Sequence, residues 1–278
     1  MKFNGRLIAF WNRCKGAPGG HIWGGLIASY QGPLVSALES GNVDALDGVL
    51  ANLGTIAYGL DDPYQPIIPW ESPRMKSELE GLGQVDRADL QPPNCFGFDF
   101  AKGTSARMLH YSSIGSTILS TLGSKPRTML EIGAGLGFMG FIAHRWSTPY
   151  TVIDLPSVAV MSAHFMSKVC GQDNVWFWGE PDNPESFARF YPSNNYRHTA
   201  TYQVVLNHNS FPEMSPEARA GYMGFIKSVL PSDGFFISVN HEERSCGQGT
   251  VRDAATNLTL VSRTEFRMRH GYFEEIYK

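Results

Sequence analysis

Three glycines at alternate positions, Gly133, Gly135 and Gly137, follow the apolar run Met129-Leu130-Glu131-Ile132 and precede Phe138-Met139-Gly140-Phe141-Ile142. The pattern reads as a short buried strand, a turn stripped of side chains, and the start of a helix. Glycine permits positive φ and lets a ligand lie directly on backbone. The helix N-terminus behind it offers free N–H groups and a partial positive charge to an anionic ligand end. Twenty-one residues after Gly133 stands Asp154, closing a second apolar run, Tyr150-Thr151-Val152-Ile153. An acidic residue at that point of a βαβ unit can accept hydrogen bonds from ribose hydroxyls. Glycine turn and acidic strand end together imply a ligand containing a nucleoside. The alternative, a turn needing glycine for packing alone and an ordinary surface Asp, fits poorly with three alternating glycines.

Gly135-Leu136-Gly137-Phe138-Met139-Gly140 also satisfies the dinucleotide fingerprint G-x-G-x-x-G, a weak signal when it stands alone. Glu131 points elsewhere. It sits two residues before the first glycine, inside a strand that a dinucleotide fold usually keeps apolar. The whole run, Glu-x-Gly-x-Gly-x-Gly, resembles the first motif of class I methyltransferases. The resemblance implies S-adenosylmethionine as cofactor, with Glu131 near its methionine end and Gly133, Ala134, Gly135, Gly137, Asp154 and Leu155 along it.

Ligands of open α/β sheets bind beyond the carboxyl ends of the strands, so residues just past each strand are candidates. Past the third strand are Glu180 and Asp182, either of which can receive an adenine amino group or be plain loop charge. Past the fourth lie Asn207-His208-Asn209-Ser210-Phe211-Pro212-Glu213-Met214, and past the fifth Asn240-His241-Glu242-Glu243. Methyl transfer from a sulfonium is an in-line displacement in which the protein mainly positions the acceptor. A hydroxyl acceptor also needs a base, and imidazole titrates in the right range. His208, read as two residues past a central strand, is the first candidate base and His241 the second. Either could instead bind loop backbone. Glu213 either orients His208, binds acceptor or caps the following helix; Asn207 is placed among the cofactor residues. His241, Glu242 and Glu243 could also cluster around a divalent metal, although no ligand spacing supports one.

The elements that must position these residues alternate strand and helix from residue 128 onward. Strands are expected at 128–132, 150–154, 175–178, 202–206 and 234–239, with helices at 158–170 and 216–229 and a further helix near 184–190. Ser215 is the expected N-cap of the helix at 216. Leu258 to Val261, extending toward Met268, and Tyr272 to Tyr277 read as an antiparallel pair. The expected fold is Rossmann-like α/β: a seven-stranded, mostly parallel sheet with helices on both faces. Ahead of it, residues 105–122 show helical spacing. Residues 63–103 carry six prolines and read as a loop-rich connection. Leu34 to Leu60 reads as two helices parted at Ser40-Gly41-Asn42, with Asp61-Asp62-Pro63 ending the second, and residues 1–30 as a helix or two. Residues 1–103 are thus expected to form a helical, loop-rich cap and 104–278 the cofactor-binding domain.

Composition agrees with a globular protein. The chain has 278 residues, 42% apolar, with 23 Lys and Arg against 26 Asp and Glu for a net charge of −3. Such a balance argues against nucleic-acid or anionic-membrane partners. Cys14, Cys95, Cys170 and Cys246 form no C-x-x-C pair, so neither zinc cluster nor disulfide framework is expected. The apolar run Leu7 to Trp11 is too short for a secretory segment and nothing reaches the length of a membrane span. A cytoplasmic protein is expected.

The glycine motif, Asp154-Leu155-Pro156 and Leu206-Asn207-His208-Asn209-Ser210-Phe211-Pro212-Glu213-Met214 together resemble the sugar O-methyltransferase group of class I enzymes, over about residues 125–278. A second group is similar in part: small-molecule O-methyltransferases with an N-terminal dimerisation region, which carry Asp-Leu-Pro and a catalytic His shortly after strand four. His208 matches that His, but the usual His-Asp-Trp stands here as His208-Asn209-Ser210. Both resemblances imply O-methylation of a sugar or small natural product, and the second leaves a homodimer open. An NAD-dependent oxidoreductase on the same glycines and a non-catalytic cofactor-binding module are the competing classes.

Overall fold

The computed structural model describes residues 2–15, 31–52, 67–69, 91–92, 103–196, 199–242 and 250–278. Its centre is an eight-stranded sheet built from β3 (Met129–Ile132), β4 (Tyr150–Asp154), β5 (Val175–Phe177), β6 (Ala188–Pro192), β7 (Val204–His208), β8 (Phe235–His241), β9 (Leu260–Glu265) and β10 (Tyr272–Tyr277). The order across the sheet is β5-β6-β4-β3-β7-β8-β10-β9. The strands from β5 to β8 are parallel; β10 runs antiparallel to both β8 and β9. The chain starts at β3 in the middle, winds outward to β4, then crosses back to β7. That reversal places the topological switch point between β3 and β7, where open α/β sheets bind ligands.

Two apolar cores lie on opposite faces of the sheet. On one, Met129, Tyr150, Val152, Phe177 and Phe190 pack under α1 (Phe3–Cys14), α2 (Gly32–Ser40), α3 (Val43–Ala51), α4 (Ala106–Leu122), α5 (Phe138–Arg145) and α6 (Pro156–Cys170). On the other, Leu130, Ile132, Val205 and Phe236 pack under α7 (Pro216–Val229) and the short α8 (Val251–Ala254). Alternation along β3 divides its residues between the two cores, the period-2 behaviour of a strand covered on both sides.

The local signals explain most boundaries. Gly41 takes φ +66° and ends α2, and Asn42 then caps α3 by accepting from the N–H of Asp44 and Ala45. Ser215 caps α7 through Ala218 N–H, with Pro216 in the first turn. Thr250 and Asp253 form a reciprocal capping box on α8.

Four expectations are corrected. Residues 184–190 do not form a helix; Ala188–Pro192 is β6, with Ala188, Phe190 and Pro192 buried and Arg189 and Tyr191 half-exposed between them. That alternation has a period of two, and the apolar count alone concealed it. The sheet consequently has eight strands rather than seven, with β6 between β5 and β4. Strand β7 spans 204–208, so His208 is the last residue of a strand, paired opposite Val239, and not two residues beyond it. The second N-terminal helix ends at Ala51, short of Asp61-Asp62-Pro63, which lie outside the described residues. Most of the proline-rich stretch lies outside them too, apart from the antiparallel pair of β1 (Ile67–Pro69) and β2 (Gly103–Ser105).

The N-terminal helix is fastened to the far edge of the sheet. Arg6 makes a two-pronged ion pair with Glu180, 2.8 and 2.7 Å, and donates to the carbonyls of Gln172 and Val175. Its guanidinium also lies over the Phe177 ring at 5.3 Å. Among the described residues no helix is long and apolar enough to cross a membrane.

Candidate functional site

The glycine turn leaves β3 at the switch point. Gly133, Gly135 and Gly137 all have positive φ: +74°, +59° and +82°. The first cannot carry a side chain, since a Cβ would stand 2.1 Å from Ser210 Oγ. At Gly135 an added Cβ meets nothing within 4 Å. The turn is therefore pressed against protein at Gly133 and bare toward open space at Gly135. Gly140, one turn into α5, fits closely: a Cβ there would sit 2.5 Å from Met166 Sδ and 2.7 Å from the Tyr150 ring.

Asp154 meets this turn from the end of β4. Its Oδ2 accepts from Gly135 N–H at 3.0 Å and its Oδ1 from Leu155 N–H at 2.7 Å. The carboxylate thus fixes the turn, while each oxygen keeps lone-pair capacity for a further donor. Burial pushes its pKa up to about 7, against the lowering effect of the backbone donors at Gly135, Leu155 and Ala134; the nearby Glu213 charge pushes it further up.

Glu131 is fully buried within β3 and accepts from the Tyr150 hydroxyl. Burial raises its pKa to about 8, although hydroxyl donors at Tyr150 and Tyr111 oppose the rise. It is a neutral acid at pH 7, set behind the turn. The Tyr111 hydroxyl reaches toward the Ala134 carbonyl, 3.5 Å away.

Asn207 is turned wholly into the protein. Its Nδ2 donates to the Ile132 carbonyl at 2.7 Å and to Ser210 Oγ, while its Oδ1 accepts from Phe211 N–H at 3.2 Å and Asn240 Nδ2 at 2.9 Å. Asn240 in turn accepts from Ser210 N–H and donates to Ser238 Oγ. This network ties the ends of β3, β7 and β8 together. Asn207 thereby holds the shape of the switch point from beneath.

His208 ends β7 in a buried nest formed by Tyr111 at 4.9 Å and His110 at 5.8 Å, both ring to ring and edge-on, with Phe266 beyond. Its Nε2 has no hydrogen-bond partner among the described residues. Burial drives its pKa well below 6.5, helped by the charges of His110, Arg107 and Arg269. The ring is neutral at pH 7. Asn209, next in the chain, adopts a left-handed φ of +57° that bends the backbone away from β7.

Beyond β7 and β8 lies a cleft of about 650 Å³ lined by Asn209, Glu213, His241, Arg269, His270, Gly271 and Tyr272. Glu213, at the end of the 3-10 turn Phe211–Glu213, is on this wall and close enough to Asp154 to affect its charge. His241 lies against the Tyr272 ring, centroids 5.5 Å apart. Tyr272 donates its hydroxyl to Asn209 Oδ1. Glu242 is paired with Arg263 at 2.8 Å, Glu243 lies outside the described residues, and no group of three or more acidic, His or Cys residues able to hold a metal occurs among those described.

The structure brings Gly133, Ala134, Gly135, Gly137, Asp154, Leu155 and Glu131 together, with Asn207 under them. His208, His241 and Glu213 stand on the β7–β8 side. Glu180 is elsewhere: it follows β5 at the sheet edge, with both oxygens engaged by Arg6 and one also accepting Phe177 N–H. The loop that follows β4's true neighbour, β6, is Ser193 to Tyr196, where Ser193 N–H donates to the Asp154 carbonyl and Tyr196 stacks on Tyr222 at 4.6 Å. Sequence reasoning missed that loop, and it missed Tyr111, Arg269 and Tyr272. The last two were within reach: an antiparallel final strand must begin at the same sheet end where the parallel strands finish.

No family model matches the chain, and no curated protein matches it. Solved structures similar to it include the PH0226 protein of Pyrococcus horikoshii OT3, at 11% identity over 59% of this chain and 87% of that one, TM-score 0.47. The N-methyltransferase NodS of Bradyrhizobium japonicum WM9 is similar at 14% identity over 62% of this chain and 95% of that one, TM-score 0.47. The glycopeptide N-methyltransferase MtfA is similar at 12% identity over 77% of this chain and 99% of that one, TM-score 0.45.

Proposed function

We propose that the chain is an S-adenosylmethionine-dependent O-methyltransferase acting on a hydroxyl of a sugar or small natural product, with residues 1–103 as its cap. The observation that carries the proposal is the glycine turn at the switch point, bare at Gly135 and braced by a buried carboxylate at Asp154. The residues fit the cofactor. The open face at Gly135 leaves room for a ligand on backbone, and Asp154 retains acceptor capacity for a ribose diol. Gly133, Ala134, Gly135, Gly137, Asp154 and Leu155 would hold it; Asn207 and Glu131 keep their shape from behind.

When bound, the cofactor supplies an electrophilic methyl with a good leaving group. The chain's own task is to place the acceptor hydroxyl in line and to receive its proton. His208 is the candidate for the second by position, although the burial and neighbouring charges that keep it neutral also weaken it as a base. It is neutral, its Nε2 is uncommitted among the described residues, and it ends the strand facing the switch point. The positive charges of Arg107 and Arg269 that disfavour imidazolium also favour an oxygen losing its proton. Glu213 and His241 line the acceptor's cleft, with Glu213 on the cofactor side.

One observation favours the NAD reading: Gly140 packs α5 tightly on Tyr150, the task of the third glycine in the dinucleotide fingerprint. Against it stand the antiparallel β10 and β9, which depart from the six-strand parallel dinucleotide fold, and the buried acid Glu131 in the first strand. Calorimetry with S-adenosylmethionine and NAD on the same protein decides. Micromolar binding of the first is expected; NAD binding without it ends the methyltransferase proposal. Turnover of labelled cofactor with a panel of hydroxyl compounds then separates an enzyme from a binding module.

A further inference from the structure

The acceptor cleft has a polarity of its own. Because β10 runs antiparallel to β8, with Tyr272 opposite His241, the hairpin loop between β9 and β10 lies at the ligand end of the sheet. The loop is held in one shape. Phe266 N–H donates to the Tyr272 carbonyl at 2.7 Å, Arg269 N–H to the Phe266 carbonyl at 3.0 Å, and Gly271 turns at φ +76°. Phe266 itself is buried beside His110 and His208.

This loop delivers Arg269 into the cleft. Its guanidinium lies over the Tyr272 ring, 4.3 Å from the centroid, and the ring is in turn fixed through its hydroxyl to Asn209. A guanidinium over an aromatic face gains a cation–π contact without spending its N–H donors. Among the described residues Arg269 has no carboxylate partner, unlike Arg263 with Glu242 and Glu275, Arg127 with Asp233 and Arg189 with Asp182. His241 and His270 stand on the same wall; His270 is paired with Glu265 at 3.3 Å on the rim. Glu213, the one carboxylate lining the cleft among the described residues, stands toward Asp154. The cleft is thus cationic at the hairpin and anionic toward the glycine turn.

We propose that the acceptor carries an oxyanion, a carboxylate or a phosphate, which Arg269 grips in a two-pronged pair while the hydroxyl to be methylated is directed toward His208 and Glu213. The inference rests on the methyltransferase reading of the site and narrows its substrate class. A neutral sugar would leave the Arg269 fork unanswered; an anion turned the other way would meet Glu213. Arg269 is in these terms a specificity residue and does not touch the reacting atoms.

The test uses matched pairs on the full chain loaded with S-adenosylhomocysteine: benzoate against benzamide, and glucose 6-phosphate against glucose, with affinities read by titration of amide and Arg Nε–H signals in NMR. At least one anionic member is expected to bind about tenfold or more tightly than its neutral twin, as charge-assisted fork pairs do, and to shift the Arg269 Nε–H signal. Preference in the first pair alone marks a carboxylate, in the second alone a phosphate ester. Arg269→Gln abolishes the preference, Arg269→Lys keeps part of it, and Arg267→Gln, outside the cleft lining, leaves it intact. Equal binding within both pairs by the unmutated protein overturns the proposal, whatever the variants do. Retained S-adenosylhomocysteine binding in that case leaves the methyltransferase reading standing; failure of the protein to bind S-adenosylhomocysteine sinks that reading and this one with it.

Discussion

Replacing Glu131 by Gln should markedly change how stability depends on pH. Glu131 is fully buried and its pKa rises from 4.5 to about 8. At ~1.4 kcal/mol per pH unit, holding it ionised costs on the order of a few kcal/mol. The sign follows from proton counting. Below pH 4.5 the acid is protonated folded or unfolded, and its burial costs little. Between 4.5 and about 8 the unfolded chain sheds the proton and the folded one keeps it, so stability falls as pH rises. Above about 8 the loss levels off. Glu131→Gln keeps an acceptor for the Tyr150 hydroxyl and has no charge to bury. Relative to the parent it should be similar in stability at pH 5 and more stable at pH 9, by that same few kcal/mol. Asp154, raised from 3.8 to about 7, imposes a slope of the same sign, and because its charge also raises the Glu131 pKa the difference reports Glu131 together with that coupling. Urea midpoints followed by circular dichroism from pH 5 to 9 give the measurement. Tyr150→Phe removes a donor that lowers the Glu131 pKa and should extend the falling region to higher pH, enlarging the total loss without steepening it. Parallel profiles for parent and Glu131→Gln would refute the assignment of a buried neutral acid.

Other substitutions test separate parts of the site. Gly133→Ala forces a Cβ onto Ser210 and a strained φ on the chain, costing about 1–3 kcal/mol; Gly135→Ala should cost ~1 kcal/mol yet weaken cofactor binding severalfold, and thermal melts beside calorimetry separate the two. His208→Ala should cut turnover far more than cofactor affinity, and an equal loss of both would remove it from the base role. The depressed His208 pKa adds stability above pH 6.5 that is lost as pH falls toward its folded value, so His208→Phe should flatten the acid limb of the stability profile. Arg6→Ala and Glu180→Ala should each expose the amides of residues 3–14 to hydrogen exchange, with ~1–3 kcal/mol lost; a Glu180→Ala protein that keeps those amides protected but loses cofactor binding would return Glu180 to the adenine role.

Much of the frame could be read from residue order because its signals are local. Asn42, Ser215 and Pro216 sit at helix starts for reasons contained within one turn of chain, and α3 and α7 begin where those residues direct. The glycine turn was equally plain, since positive φ at three alternate positions leaves little else that fits. What escaped depended on neighbours far away in sequence. Ala188 to Pro192 becomes a strand because β4 and β5 offer backbone partners on both sides. Once it inserts, Glu180 no longer stands beside Asp154, and a carboxylate read as an adenine ligand becomes the anchor of Arg6. Asn207 looked like a ligand contact for a similar reason: its place past β3's neighbour was legible, but not the four groups that consume its amide. Arg269 and Tyr272 enter the cleft only through the reversed direction of the last two strands.

The Arg6–Glu180 clamp joins groups 174 positions apart, and that separation constrains the order of events during synthesis. At roughly 5–20 residues per second, the first helix emerges from the ribosome on the order of ten to thirty seconds before its anchor is translated. Through that interval Leu7, Phe10 and Trp11, all buried in the finished protein, have no sheet to cover them. The nascent chain therefore exposes this apolar stripe early and buries it late.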